Sequence, residues 1–100
     1  MTQLEFYQDE SGTPCARGRD RRLATYLETD IQGSTNIARE LLDILADKNF
    51  RGDITGNGHS VSIAEKTATI ESLYDDETPA RRLSRTRLQA ELKRWLTFIS

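Results

Sequence analysis

Residues 50–74 read Phe50-Arg51-Gly52-Asp53-Ile54-Thr55-Gly56-Asn57-Gly58-His59-Ser60-Val61-Ser62-Ile63-Ala64-Glu65-Lys66-Thr67-Ala68-Thr69-Ile70-Glu71-Ser72-Leu73-Tyr74. Gly56-Asn57-Gly58 is a hairpin turn signal between two extended runs, Phe50–Ile54 and His59–Ala64. Val61 and Ile63 point to one face, Ser60 and Ser62 to the other. Glu65-Lys66 makes a second tight turn. Thr67–Tyr74 then returns as a strand, with Ala68 and Ile70 on one face and Thr69, Glu71 and Leu73 on the other. This stretch predicts an antiparallel sheet with one apolar face that something must cover.

The segments on either side supply the cover. Upstream, Gln32-Gly33-Ser34 is a break, and Ser34 is a good N-cap for a helix over Thr35–Lys48, which Asn49 ends. Ile37, Leu41, Ile44 and Leu45 form its apolar stripe, widened by Leu42, while Arg39 and Asp43 pair on the outer face. Downstream, 75–80 reads as a polar loop ending in Pro79 and Ala80. Ser84 caps a final helix over Arg85–Ile99, whose stripe is Leu88, Leu92, Trp95, Leu96 and Ile99, with Arg87 and Glu91 as an outward pair.

The first thirty residues add strands. Leu4–Asp9 alternates as one strand, Glu10-Ser11-Gly12-Thr13 is a turn, and Pro14–Gly18 is a second strand. Residues 21–31 fit two patterns. Leu23, Tyr26, Leu27 and Ile31 make a helical stripe behind an Asp20 cap, while Leu23, Thr25, Leu27, Thr29 and Ile31 make a strand face. The β-favouring Thr25, Tyr26, Thr29 and Ile31 tip the expectation to a strand. The expected fold is α+β: one antiparallel sheet of five to six strands with two main helices on one face, in a single domain over 1–100.

Composition bounds the function. With 36% apolar and 30% charged residues in 100, folding should bury about 65% of the unfolded surface, enough for one modest core. The net charge of -2 argues against non-specific nucleic-acid binding. It is nonetheless segregated: Arg17, Arg19, Arg21 and Arg22 form one basic run, Arg81, Arg82, Arg85 and Arg87 another, and Glu71, Asp75, Asp76 and Glu77 an acidic one. A single cysteine excludes an internal disulfide and suggests a reducing compartment. No apolar run reaches membrane length, and 1–5 lack the basic and apolar regions of a signal peptide, so a cytoplasmic location is expected.

Reactive chemistry is sparse. His59 is the single histidine; Asp53 across the hairpin could orient it and Ser60 is the one nucleophile nearby, but a turn-flanking polar residue is the simpler reading. Cys15 shares a strand face with Arg17 and Arg19, a weak basis for thiolate activation. Gly52, Gly56 and Gly58 lack the lysine and following helix of a phosphate loop. Asp75, Asp76 and Glu77 are contiguous carboxylates without a ligand loop, a weak metal signal. No metal, cofactor or catalytic set is expected, and binding is favoured over catalysis. Two segments suit a protein interface, each an aromatic bordered by carboxylates: Tyr74-Asp75-Asp76-Glu77, and Tyr26 with Glu28 and Asp30.

In layout the chain resembles small bacterial immunity proteins encoded beside toxins of contact-dependent inhibition and other polymorphic toxin systems. The likeness lies in the opening Leu4-Glu5-Phe6-Tyr7-Gln8-Asp9-Glu10-Ser11-Gly12, in Tyr26–Ser34 leading into a leucine-rich helix, in the Gly58–Ile63 strand, and in Leu83-Ser84 before a helix with Trp95, Leu96 and Phe98. The resemblance implies a cytoplasmic antidote that binds and blocks one toxin domain, often a nuclease. It assigns no contact residue. The alternative is a nucleic-acid-binding regulator using the arginines at the head of the last helix, where the helix dipole favours an anion.

Overall fold

The structure is a computed structural model that describes residues 4–74 and 79–100. Its centre is the meander that the turns at 56–58 and 65–66 dictate. Strands β3 (Gly52–Thr55), β4 (His59–Ile63), β5 (Thr67–Ser72) and β6 (Arg81–Ser84) pair antiparallel in that order. Val61 opposes Ile54 and Ile70, and Ala68 opposes Ile63 and Leu83, so the middle of one face of the sheet is apolar. Asp53, Thr55, Ser60, Ser62, Thr69, Glu71 and Arg82 alternate onto the other face.

The N-terminal strands β1 (Glu5–Gln8) and β2 (Pro14–Arg17) form a separate two-stranded hairpin. The single sheet of five to six strands is thus corrected to a four-stranded sheet plus a hairpin. The hairpin turn is held by Asp9, whose carboxylate accepts the Ser11 and Thr13 amides at 2.9 Å each, with Gly12 at φ +81°. The hairpin packs on the helical segment 21–31 and on the last helix. Phe6 meets Trp95 edge-on at 5.0 Å, and the Arg94 guanidinium lies over the Phe6 ring at 4.6 Å while donating to the Leu4 carbonyl.

Residues 21–31 are helical, not a strand. Helix α1 (Arg21–Tyr26) runs on as a π-helical turn (Leu27–Ile31), closed by the Gln32 amide donating to the Leu27 carbonyl at 2.8 Å. Leu23, Leu27 and Ile31 are spaced by four, which satisfies both periods. Ala24 and Tyr26 decide the matter, because they are buried as well, and a strand would have turned them outward. The β-propensity of Thr25 and Thr29 is overridden by this burial.

Helix α2 (Thr35–Ala46) begins at Ser34, whose hydroxyl accepts the Ile37 amide, as its sequence requires. Helix α3 (Arg85–Ile99) begins at Ser84 in the same way. There are three helices where two main ones were expected. The core joins Leu23, Leu27 and Ile31, Leu41 and Leu45, Val61 and Ile70, and Leu88, Leu92 and Trp95 into one cluster. Two further details differ from the sequence reading. Arg81–Ser84 is an edge strand, and Glu91 is buried at 2% exposure, held by Arg94 at 2.9 Å and Arg87 at 3.7 Å rather than facing out. Among the described residues, no helix is long and apolar enough to cross a membrane.

Candidate functional site

The single histidine is the best place to look for chemistry. The β3–β4 turn places His59 at the start of β4 on the inner face, opposite Ser72. The end of the π-helical turn brings Asp30, not Asp53, to its Nδ1, at 2.9 Å. Asp53 lies on the outer face opposite Ser62 and so cannot orient the ring. The Asp30 carboxylate also accepts the backbone amides of Gly58 and His59 at 3.3 and 3.2 Å, and Thr29 Oγ1 lies 2.8 Å away. Arg22 Nη1 is 3.2 Å from His59 Nε2. A guanidinium only donates, so Nε2 accepts and Nδ1 carries the proton given to Asp30: the network assigns the neutral tautomer.

This is the carboxylate–imidazole pairing that orients a general base. Here the lone pair such a base would offer a substrate is taken by Arg22, and the ring is 3% exposed under the edge of Tyr26. Burial first, and the Asp30 charge second, push the Tyr26 phenol well above its ordinary pKa. The cluster therefore works as a clamp fastening the π-helical turn to the head of β4. Gly56 belongs to it, because a Cβ at that position would meet the Asp30 carboxylate. Asp30→Ala is expected to cost about 2–3 kcal/mol, by leaving the buried His59 amide and the half-buried Gly58 amide without an acceptor and the histidine without its partner. Urea denaturation measures the loss, and amide exchange should quicken first at Gly58 and His59; an unchanged midpoint would show that the clamp carries no stability.

Beside the clamp, a groove of about 250 Å³ opens between α2 and the β3–β4 turn. Ile37, Leu41, Ile44 and Ile54 line it, with Glu40 and Asn57 as polar members. Ile37 is 43% exposed there, although it belongs to the apolar stripe of α2.

The two acidic-aromatic segments have different fates. Tyr26 and Asp30 are buried in the clamp, and Glu28 is half-buried, accepting the Ala16 amide at 2.9 Å and so tying the N-terminal hairpin to the helix. The carboxylates of that segment accept backbone amides, and Tyr26 and Asp30 also border the groove. Tyr74 is 83% exposed and Leu73 44%. The Leu73 amide donates to the Gly58 carbonyl at 2.9 Å, which sets this pair beside the same turn that borders the groove. Asp75, Asp76 and Glu77 lie outside the described residues.

The second arginine run is dispersed into the fold. Arg85 is buried, and its guanidinium donates to the carbonyls of Ile44, Leu45 and Asp47 at the end of α2 and to those of Phe50 and Ala64. It closes the C-terminus of a neighbouring helix, where carbonyls lack intrahelical partners and the dipole favours a cation. Arg81 pairs with Asp20 at 2.9 Å, and Arg87 lies against Glu91. The four side chains thus do not form one cationic patch at the head of α3.

Cys15 is half-buried, with its thiol donating to the Thr13 carbonyl. Desolvation, then the Asp9 and Glu28 charges, hold its pKa above the ordinary value. Its neighbours act as carboxylates, opposite to the arginine activation considered from the sequence. Among the described residues, no three His, Cys, Asp or Glu side chains are grouped to hold a metal.

The clamp, the groove and the place of Arg85 had no signal in the sequence beyond the glycine turn itself. No family model matches the chain, and neither a curated protein nor a solved structure does.

Proposed function

We propose that the protein is an immunity protein of a bacterial polymorphic toxin system, a cytoplasmic antidote that binds a toxin domain of nuclease type and covers its active or substrate-binding surface. One observation carries the reading: Tyr74 stands 83% exposed with Leu73 beside it, at the end of the sheet that also holds the groove. A tyrosine presented in this way is the type of anchor that dominates binding energy in an interface. In the sequence it is followed by Asp75, Asp76 and Glu77, and an acidic border complements the basic surface with which a nuclease holds phosphates. A standard contact of about 800 Å² takes roughly one eighth of the 6,261 Å² surface. The layout resemblance points the same way, and the function needs no cofactor.

Co-expression with the toxin domain encoded just upstream tests the proposal. The wild-type chain should restore growth and form a one-to-one complex. Tyr74→Ala should weaken the complex by about 2 kcal/mol, roughly thirtyfold in Kd, mainly through faster dissociation. Changing Asp75, Asp76 and Glu77 together to lysine should slow association, because like charges replace complementary ones. If the wild type fails to protect, the immunity reading falls; if it protects while both variants keep wild-type kinetics, this segment is outside the contact.

A further inference from the structure

The sheet has two edges, and they are finished differently. On β6, Arg81 is tied to Asp20 of the α1 cap, and Arg82 adds a second charge. Such features guard an edge against pairing. On β3 the Gly56 amide donates to the His59 carbonyl at 2.9 Å, and Ile54 is in register with Val61. Antiparallel ladders alternate, so Gly52, Ile54 and Gly56 bond inward to β4, while the amides and carbonyls of Asp53 and Thr55 point out of the sheet. Among the described residues, nothing hydrogen-bonds those outward groups.

The groove runs along this open edge, with Ile54 as its floor on the strand side and Ile37 and Ile44 as its wall on α2. At about 250 Å³ it lies below the size of a small-molecule site and suits one apolar side chain. We propose that β3 and this groove form a strand-addition site for an extended segment of a partner protein, in which an apolar residue alternates with basic ones. It rests on the partner-binding reading above and adds where the partner docks and with what sequence pattern.

The geometry sets the pattern. A strand added to β3 continues the pleat, so its residue opposite Ile54 points inward, onto Ile37, Ile44 and Ile54. The residues on either side of it point to the outer face, where Asp53 is exposed and opposite charge is favoured. Arg51, two residues before Asp53, turns to the Lys48 and Phe50 carbonyls and leaves Asp53 to the incoming strand. A second copy of this chain fits worse, since pairing β3 with itself brings two Asp53 side chains together on one face.

The probe is a blocked five-residue peptide alternating lysine with isoleucine, titrated into the isotope-labelled protein and read by amide chemical shifts. Shifts should centre on Asp53, Thr55 and Ile37, and exchange at the Asp53 and Thr55 amides should slow. Thr55→Pro removes an outward donor that β4 does not use, so the fold should stand. It should weaken binding at least tenfold, and Ile37→Glu, on an exposed helix position, should do the same. A peptide N-methylated on its edge-pairing amides leaves the protein untouched and should lose binding equally. Full binding of the methylated peptide, equal binding of a glutamate–isoleucine peptide, shifts confined to Leu73–Tyr74, or a dimer that Thr55→Pro dissolves would each overturn the assignment. Loss of toxin protection by wild type would sink the immunity reading and leave this titration standing. Protection retained by Thr55→Pro and Ile37→Glu would sink strand addition alone.

Discussion

Trp95→Ala should lower the stability of the folded chain by about 3–5 kcal/mol, a large fraction of what a domain of this size has. The ring is fully buried between α3 and the N-terminal hairpin: Phe6 of the hairpin packs edge-on against it, and Phe98 of the same helix tilts over it at 5.8 Å. Its indole N–H donates to the Gln32 carbonyl at 2.8 Å. Gln32 ends the π-helical turn with φ +55°, outside the region most side chains adopt, so the bond also steadies a strained corner. Alanine removes the packing and orphans that carbonyl. At roughly 4–8 °C per kcal/mol, the melting temperature should fall by well over ten degrees. Trp95→Phe keeps one aromatic ring but loses the hydrogen bond and part of the buried volume, so its cost should fall between wild type and the alanine variant. Equal melting temperatures for wild type and the alanine variant would place the apolar face of α3 elsewhere.

Arg85→Leu is expected to cost about 3–5 kcal/mol, even though leucine suits the burial of the site. Five carbonyls from three segments converge on one guanidinium, and leucine removes that donor from all of them; Ile44, Asp47 and Phe50 keep the Asp47 amide, the Phe50 amide and the Arg51 guanidinium, so the loss falls hardest on Leu45 and Ala64. The damage should begin at the end of α2 and the loop before β3, which the guanidinium ties to Ala64. Faster amide exchange there, with β4 and β5 still protected, is the expected signature, and a shift in the urea midpoint measures the cost. Arg85→Lys should recover only part of it, since an ammonium cannot span the same fan of acceptors. The result also bears on nucleic acid. A loss of binding in an Arg85 variant would report unfolding unless the melting curve were recorded beside it, so Arg82, exposed on β6, is the cleaner position for that test. A stability unchanged in Arg85→Leu would mean that water satisfies these carbonyls equally well.

What the chain declares locally was legible in its sequence. The glycine turn at 56–58 and the alternation of Ser60 to Ile63 and Ala68 to Ile70 dictate the hairpins, because a period of two admits one register with the apolar set inward. Ser34 and Ser84 start helices for a reason contained within four residues. Tertiary structure decided the rest. The spacing of Leu23, Leu27 and Ile31 fits a strand and a helix alike, and only the need to bury Ala24 and Tyr26 as well resolved it. Arg81–Ser84 has one apolar residue among its four and becomes a strand only because β5 offers an edge to pair with. Charge was the least legible property. Asp30 and Glu91 are buried and Asp53 is exposed, although nothing local distinguishes these carboxylates. Asp30 is held by amides 28 and 29 positions away, whereas Glu91 is held within its own helix by Arg87 and Arg94 and is buried because the N-terminal hairpin packs there. A sequence specifies its backbone preferences residue by residue, whereas the partner of a buried charge exists only once the chain has closed on itself.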